Sequence, residues 1–221
     1  MSYQHQYVDG TRIHFPIGKV VCIGRNYAEH AKELDNPVPT EPLLFIKPGS
    51  CVVPLEGGFS IPTERGSVHY EAEIAVLIGK PLSTKPSREE VLDAISGFAP
   101  ALDLTLRDKQ AEPQAKGLPW EIAKSFDNSA VVGKFMPIAP ETDKKDINFC
   151  LYKNKEIVQQ GNTKDLIFTF DFLLSYISKF FTLNIGDLIF TGTPAGVGPV
   201  EIGDTLEAFI ENDSLLEFMV K

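Results

Sequence analysis

Glycine and proline interrupt this chain so often that only short secondary-structure elements fit between them. The 221 residues include 17 Gly and 16 Pro, and many of the intervening runs are rich in β-branched and aromatic residues. Strands are predicted over 19–23, 43–46, 71–78, 149–152, 187–190, 205–210 and 215–220. Because these strands do not alternate regularly with helices, the pattern predicts an α+β fold that is predominantly β and built from mixed sheets.

Helices are expected to be few and short. Ser87 and Glu90 have the spacing of a capping box, which predicts a helix over 87–95 that ends before Gly97. A second helix is expected over 26–34 and a third over 170–181, where apolar residues recur at helical spacing. No internal repeat or long linker divides the chain. We therefore predict a single domain over 1–221 with a short N-terminal lead-in over 1–15.

The charge balance argues against nucleic acid and membrane surfaces as partners. Lys and Arg total 21 against 30 Asp and Glu, so the formal net charge is −9 and anionic surfaces would repel the chain. The first residues lack the pattern of a targeting segment, and no stretch is long and apolar enough to span a membrane. Three widely separated cysteines, Cys22, Cys51 and Cys150, favour reduced thiols over a disulfide framework. We therefore expect a cytoplasmic protein.

Two glutamates two residues apart are the first candidates for chemistry. In the strand predicted over 71–78, Glu71 and Glu73 share one face. Neighbouring carboxylates repel and raise each other's pKa unless the face is hydrated or a cation lies between them. The pair is therefore consistent with a solvated strand face as well as with a metal site.

A carboxylate in a second apolar run favours the metal site. If 98–108 is a strand, Asp103, Thr105 and Arg107 share one face and three leucines the other. A buried, unpaired Asp103 would be costly, whereas three carboxylates around one hard cation satisfy each other's charge. Ligands that are all oxygen favour Mg²⁺, Mn²⁺ or Ca²⁺ over zinc, and Mg²⁺ in particular keeps open positions for water or substrate. An ion pair of Asp103 with Arg107 or Lys124 is the alternative.

Three basic side chains lie in segments that also look functional, namely Lys47, Arg107 and Lys124. Three carboxylates and one divalent cation carry a charge of about −1, so a carboxylate substrate needs further positive groups nearby. These side chains would supply them. Alternatively they are ordinary solvated charges, and Lys124 pairs with Asp127.

Two further segments contribute candidate residues. The glycine-rich stretch 191–198 follows a predicted strand, and its small residues would let a ligand approach the backbone. It matches neither a P-loop nor a dinucleotide fingerprint, so no nucleotide is expected. His30 and Glu33 are i and i+3 neighbours and would form a base with an orienting carboxylate. Taken alone, the two features also fit a plain turn and a solvated surface pair.

Together these segments resemble the fumarylacetoacetate hydrolase family, in particular its short acylpyruvase and oxaloacetate decarboxylase branch. The resemblance covers almost the whole chain and follows the order of the family's motifs. Its carriers are CIGRNY over 22–27 with His30 and Glu33, FIKP over 45–48, YEAE over 70–73, LDLT over 102–105 with Arg107, KGLPW over 116–120 with Lys124 and Asp127, and TGTP over 191–194.

The resemblance implies a mixed β-sandwich roll with a few short helices, usually dimeric, that binds Mg²⁺ or Mn²⁺ through Glu71, Glu73 and Asp103. It also implies that Lys124 is catalytic with His30 and Glu33, and that the helix over 26–34 is a lid. The substrate contacts expected from it are Arg25, Asn26, Lys47, Arg107, Gln110 and Thr193.

The implied activity is metal-dependent hydrolysis of the carbon–carbon bond of acylpyruvates, with decarboxylation of oxaloacetate at the same site. Two alternatives remain open. One is an isomerase or decarboxylase of 2-hydroxyhepta-2,4-dienedioate-type intermediates. The other is a dicarboxylate-binding module without turnover.

Overall fold

The structure, a computed structural model, describes residues 3–53, 58–138 and 146–221. Within these ranges it contains fifteen strands: β1 (Val20–Gly24), β2 (Leu43–Lys47), β3 (Val52–Val53), β4 (Val68–Tyr70), β5 (Ala72–Ile78), β6 (Ile95–Asp103), β7 (Thr105–Leu106), β8 (Ala130–Val132), β9 (Met136–Pro137), β10 (Asn148–Lys153), β11 (Glu156–Asn162), β12 (Leu188–Phe190), β13 (Gly198–Pro199), β14 (Thr205–Ile210) and β15 (Asp213–Met219). The α-helices of the same ranges are α1 (Ala28–Glu33), α2 (Arg88–Asp93), α3 (Arg107–Lys116), α4 (Glu121–Lys124) and α5 (Phe170–Ile177).

An eight-stranded mixed sheet forms the centre of the fold. Its order is β2-β1-β12-β5-β6-β8-β3, with β9 also paired to β6. The pairs β1–β12 and β3–β8 are parallel, and the other pairs are antiparallel. A four-stranded antiparallel sheet, β11-β10-β14-β15, and a three-stranded sheet, β13-β4-β7, complete the architecture. The predicted mixed-sheet, predominantly β fold with a few short helices is confirmed.

Both faces of the central sheet are buried. Along β5 the even-numbered residues 74–78 belong to the larger core, which also contains the apolar side of α5. Ala75 and Leu77 point to the opposite face and pack into a smaller core with Tyr3 and Ile13 of the N-terminal segment. Glu73 shares the face of Ala75 and is only 2% exposed. The solvated-face explanation of the glutamate pair is therefore wrong.

The three predicted helices are present but shorter than expected. The second helix begins at Ala28 instead of 26, and the third ends at Ile177 instead of 181. The capping box before α2 is confirmed, since Ser87 Oγ accepts a hydrogen bond from the Glu90 N–H at 3.2 Å and the Glu90 carboxylate accepts one from the Ser87 N–H at 2.6 Å. That 1–221 form one domain with a lead-in over 1–15 stays a prediction; residues 1–2 of this lead-in lie outside the described ranges.

The strand predicted over 98–108 is wrong at its C-terminal end. The long strand β6 ends at Asp103, β7 has two residues, and Arg107 begins α3. Arg107 therefore reaches the site from the first turn of a helix and does not share a strand face with Asp103. The helix has almost no apolar residues, and Gln110 is its one buried side chain among those described. A polar sequence of this kind gives no periodic signal for a helix.

The three cysteines all lie within the described ranges. Cys22, Cys51 and Cys150 are free thiols, and the first two are buried. None of the helices in the described ranges is long and apolar enough to cross a membrane.

The loop after β12 makes a close backbone contact that positions the site. Gly192 has φ of +97°, and a Cβ atom added there would lie 2.6 Å from Asn26 Cβ. Only a residue without a side chain combines that φ with so close an approach. The Gly192 N–H donates a hydrogen bond to Glu73 Oε2 at 2.6 Å. Displacing the loop would therefore also displace a partner of Glu73.

We expect Gly192→Ala to lower the free energy of unfolding by about 2–4 kcal/mol, because backbone strain and a steric clash add up. The matched control is Gly203→Ala, since Gly203 has φ of +96° and a Cβ atom added there would have nothing within 4 Å. That control should cost about 1 kcal/mol of strain alone. Urea unfolding followed by circular dichroism measures both, and equal losses would contradict the close approach.

Candidate active site

The pairing of β5 with β6 brings the three predicted carboxylates together. Ala72 lies opposite Leu102, so the same register places Glu71 opposite Asp103, whose N–H donates to the Glu71 carbonyl at 2.9 Å. Glu73 is then the diagonal neighbour of Asp103 on the same face. Oxygen atoms of Glu71, Glu73 and Asp103, one from each carboxylate, all lie within 4.8 Å of one another, and the three side chains are buried.

Basic side chains surround this cluster. Lys124 Nζ donates to Glu71 Oε2, Asp103 Oδ2 and Thr105 Oγ1, each at 2.7 Å. Arg107 Nη2 donates to Glu71 Oε1 at 2.6 Å. The ion pair of Asp103 with Lys124 that the sequence left open is therefore present, whereas Arg107 pairs with Glu71. Since Lys124 uses its three protons here, it does not pair with Asp127.

Burial and charge shift the two glutamates in opposite directions. Burial alone would raise the pKa of Glu71, but the positive charges of Lys124 and Arg107 outweigh it and lower the pKa to about 2. For Glu73, burial and then the charge of Asp103 raise the pKa well above its usual value, and a single backbone N–H donor does not compensate. Glu73 is thus the carboxylate that an additional positive charge would stabilise most.

One oxygen of Asp103 supports a cation at this site. Lys47 Nζ lies 2.7 Å from Asp103 Oδ1, but its protons are directed to the carbonyl oxygens of Leu104, Lys124 and Ser129. Oδ1 therefore accepts no hydrogen bond from any described residue, although the ion pair balances its charge. A buried acceptor without a donor is costly. Three carboxylates with a free oxygen among them are a suitable ligand set for Mg²⁺ or Mn²⁺.

His30 and Glu33 form a pair of which only Glu33 is exposed. His30 is 4% exposed, and its Nδ1 lies 3.0 Å from Glu33 Oε2. Glu33 Oε1 accepts a hydrogen bond from the Gly196 N–H at 2.9 Å, so the pair is attached to the glycine-rich loop. Because a carboxylate only accepts, Nδ1 carries the proton of the neutral ring and Nε2 is left as the basic nitrogen.

The carboxylates and His30 line one common pocket. Nine of the twelve predicted site residues line it: Arg25, His30, Glu71, Glu73, Asp103, Arg107, Gln110, Lys124 and Thr193. Arg25 has φ of 63°, a left-handed conformation that is uncommon outside glycine. The structure thus assembles most of the predicted site, while the role of each residue stays a prediction.

Asn26 and Lys47 lie behind the wall of this pocket and are fully buried. The Asn26 amide donates to the carbonyls of Phe168 at 3.0 Å and Thr191 at 2.8 Å, and its oxygen accepts from the Phe168 N–H at 2.8 Å. Lys47 is engaged with three carbonyls, as described above. The geometry favours a bracing role for both residues over the predicted substrate contact.

Sequence reasoning missed the apolar side of the pocket. Phe45 and Trp120 line it, with ring centroids 5.8 Å apart, and Lys124 Nζ lies 5.2 Å from the centroid of the Phe45 ring. Both positions could have been found from the sequence. Phe45 begins the motif FIKP, which contains Lys47, and Trp120 ends the motif KGLPW, which precedes Lys124. Gln159 was also missed, and nothing in its own segment distinguishes it in the sequence.

Comparison with known proteins identifies the family of this fold and site. Residues 19–220 match the family described as fumarylacetoacetate (FAA) hydrolase C-terminal. Oxaloacetate tautomerase YcgM of Escherichia coli (strain K12) is 47% identical over 214 residues, which cover 96% of this chain and 97% of that protein. A crystal structure of a fumarylacetoacetate hydrolase family protein from Yersinia pestis CO92 has a TM-score of 0.95 and 46% identity, with 99% of this chain and 100% of that chain covered.

A further structure shows ligands. Fumarylpyruvate hydrolase from Pseudomonas aeruginosa, in complex with Mn²⁺ and pyruvate, has a TM-score of 0.90 and 35% identity, with 100% of this chain and 96% of that chain covered. The family resemblance seen in the motifs is therefore confirmed over almost the full length. The chain belongs to the fumarylacetoacetate hydrolase family.

Proposed function

We propose that the protein interconverts the keto and enol forms of oxaloacetate, or of a closely related 2-oxo dicarboxylate, with Mg²⁺ or Mn²⁺ held by Glu71, Glu73 and Asp103. The charge of the site carries the proposal. Four carboxylates, those of the cluster and of Glu33, and four basic side chains, those of Arg25, Lys47, Arg107 and Lys124, cancel formally, so a divalent cation gives a charge of about +2. This corrects the −1 expected from the carboxylates and the cation alone, and it matches a substrate with two carboxylates.

The residues that line the pocket divide into charge-binding and proton-transferring groups. Arg25 and Arg107 offer N–H donors to carboxylates, and Thr193 adds a hydroxyl group. A divalent cation would supply the positive charge that makes the hydrogens beside a 2-oxo group more acidic. Lys124 keeps Glu71 and Asp103 in place, and its ammonium adds positive charge where an oxyanion develops.

His30 is the residue to which we assign proton transfer. In the keto form, its Nε2 would remove a proton from carbon 3, and the electron pair of that C–H bond would form the carbon–carbon double bond while the carbonyl pair moves to the oxygen on carbon 2. That oxygen would then take the proton from Nε2, which yields the enol and restores the neutral ring. Glu33 orients the ring through Nδ1 and stabilises the imidazolium that forms. The reverse reaction returns the proton from Nε2 to carbon 3. Both ring nitrogens therefore have a defined task.

Hydrolysis of acylpyruvates is the second candidate, and the similarity to a fumarylpyruvate hydrolase that binds Mn²⁺ and pyruvate favours it. Here His30 would take a proton from a water molecule that attacks the distal carbonyl. The carbon–carbon bond then breaks, and enolpyruvate leaves with the bonding electrons. Decarboxylation of oxaloacetate at the same site needs no attacking water, and its enolate would be stabilised by the same charges.

The remaining alternatives are weaker. Isomerisation of a 2-hydroxyhepta-2,4-dienedioate would use the same proton transfer on a longer substrate. A binding module without turnover has no need of His30 and Glu33 beside an intact carboxylate cluster. An activity screen with titrated Mg²⁺ and Mn²⁺ tests the proposal on oxaloacetate, acetylpyruvate, fumarylpyruvate and fumarylacetoacetate. Binding of oxalate or pyruvate without turnover of any compound would favour the module.

The proposal includes a cytoplasmic homodimer that has no nucleic acid or membrane as a partner. The net charge of −9 supports the absence of anionic partners. Light scattering tests the dimer, since one chain has a mass of 24.4 kDa.

We expect Glu73→Gln and Asp103→Asn to abolish high-affinity binding of Mn²⁺ and the turnover that depends on it, while the protein remains folded. Each change removes one anionic ligand from a buried set of three. Isothermal titration with Mn²⁺ and circular dichroism measure the two properties. The control is Glu217→Gln, an exposed glutamate on β15. Near-wild-type metal binding and activity in both cluster variants would refute the metal site.

We expect His30→Ala to slow oxaloacetate tautomerisation by about 10²–10⁴-fold, the usual contribution of general acid–base catalysis. The loss of the enol absorbance follows this reaction. The same variant should reduce acylpyruvate hydrolysis more than oxaloacetate decarboxylation, because only hydrolysis needs an activated water. His14→Ala is the matched control, since His14 is exposed. Equal losses in hydrolysis and decarboxylation would show that His30 does not act as the base for water.

A further inference from the structure

Gln159 is a buried amide that connects the carboxylate cluster to the glycine-rich loop. It lies in β11 beside an irregularity in the pairing with β10, and it is 2% exposed while the next residue, Gln160, is exposed. Its Oε1 accepts a hydrogen bond from the Ala72 N–H at 2.8 Å. Its Nε2 donates to Thr193 Oγ1 at 2.9 Å and to the Pro194 carbonyl at 2.8 Å.

The neighbouring backbone groups determine which end of the Gln159 amide is the oxygen and which is the nitrogen. The Ala72 N–H can only donate, so the atom facing it must be the amide oxygen. The Pro194 carbonyl can only accept, so the atom facing it must be the amide nitrogen. Both fixed backbone partners demand the same orientation, and the flipped amide would set two donors and two acceptors against each other.

This orientation determines the role of the Thr193 hydroxyl. Because Gln159 Nε2 is a donor, Thr193 Oγ1 has to accept from it, and the hydroxyl hydrogen is left to be donated elsewhere. The Pro194 carbonyl, at 3.5 Å from Oγ1, is at the limit of hydrogen-bond distance and is therefore a weak acceptor for that hydrogen. Thr193 also lines the pocket, so a better acceptor can reach it there.

We propose that Gln159 is a positioning residue that makes the Thr193 hydroxyl a donor towards the pocket, so that this point of the site selects an anionic acceptor, namely a carboxylate oxygen of a 2-oxo acid. The inference rests on the proposed function and deepens it, because it assigns a selective contact to one group of the substrate. A hydroxyl free to rotate would accept from a donor as readily as donate to a carboxylate. The amide occupies one of the two lone pairs of Oγ1 before the substrate arrives, which shifts the balance of the hydroxyl towards donation.

The hydrogen bond that Gln159 Oε1 accepts from Ala72 offers a competing explanation for the role of this residue. The Ala72 N–H lies between the two glutamates of the cluster, so the amide also supports the strand that carries them. If this were its main role, replacing Gln159 would weaken metal binding first. The two roles are therefore separated by measuring metal affinity and substrate affinity in the same variant.

The test uses Gln159→Met, which keeps the length of the side chain and removes both hydrogen-bonding groups. We expect the KM for oxaloacetate and the Kd for pyruvate to rise about 3–10-fold, the effect of one lost or misdirected hydrogen bond, with kcat changed by less than about 2-fold. The Kd for Mn²⁺ should stay within about 2-fold of wild type. Gln160→Met, the same change at the adjacent exposed position, is the control and should leave all constants unchanged.

Variants of Thr193 keep the inference testable if Gln159→Met folds poorly. Thr193→Val removes the donor at nearly constant shape and should raise KM at least as much, whereas Thr193→Ser should recover most of that loss. In the Thr193→Val background, Gln159→Met should raise KM by less than about 1.5-fold further, since it acts through the hydroxyl. Additive losses, or a loss of Mn²⁺ affinity that parallels the rise in KM, would overturn the inference.

The two proposals fail in different ways. If the wild-type protein does not turn over oxaloacetate, the proposed function fails, and the titration with pyruvate still reports on Gln159. If the wild-type protein is active and Gln159→Met and Thr193→Val leave both KM and the pyruvate Kd unchanged, only the present inference fails.

Discussion

Three carboxylates on or directly beside two neighbouring strands lie together on one buried face of the sheet, and the rest of the site is arranged around them. A carboxylate removed from water costs several kcal/mol unless charges and hydrogen bonds compensate. Lys124 donates to Glu71 and Asp103, Arg107 donates to Glu71, and Lys47 lies beside Asp103. Glu73 has only a backbone donor. The compensation within the described protein is therefore uneven, and the position that lacks it is where a cation fits.

The three basic residues lie at the ends of secondary-structure elements, and two of these elements are helices outside the sheets. Lys124 ends the short helix α4, Arg107 begins α3, and Lys47 ends the edge strand β2. Lys47 is itself held by carbonyl groups of the segments around Leu104 and Ser129. The basic side chains thus come from the first or last residue of an element, where a side chain is not bound to the regular alternation of a strand. This explains why a predominantly β protein needs its few helices at these places.

The sequence was sufficient to predict the mixed-sheet fold, because short apolar runs between turn residues leave few alternatives. Period-two alternation placed Glu71 and Glu73 on one face, and the cost of burying Asp103 favoured a shared cation, while the family resemblance implied that the three carboxylates meet. It could not predict α3, whose polar residues carry no periodicity. Nor could it separate Arg25, which lines the pocket, from its neighbour Asn26, which braces the wall, because both are polar residues of one motif. Whether a side chain such as that of Asn26 already has its hydrogen-bond partners can be known only from the folded structure.

The glycine-rich loop connects the carboxylate cluster to the pair of His30 and Glu33. The Gly192 N–H donates to Glu73 in the carboxylate cluster, and the Gly196 N–H donates to Glu33, which orients His30. Both glycines have φ near +100° and are approached by other backbone or side-chain atoms, so the loop has little freedom to move at either point. His30 and Glu33 both belong to α1, so a movement of this helix as the predicted lid would break the hydrogen bond between Glu33 and Gly196 and carry the imidazole and its carboxylate away from the loop together. In the proposed function, His30 would therefore face the carboxylate cluster only while α1 is held on the loop, with Glu33 bonded to Gly196.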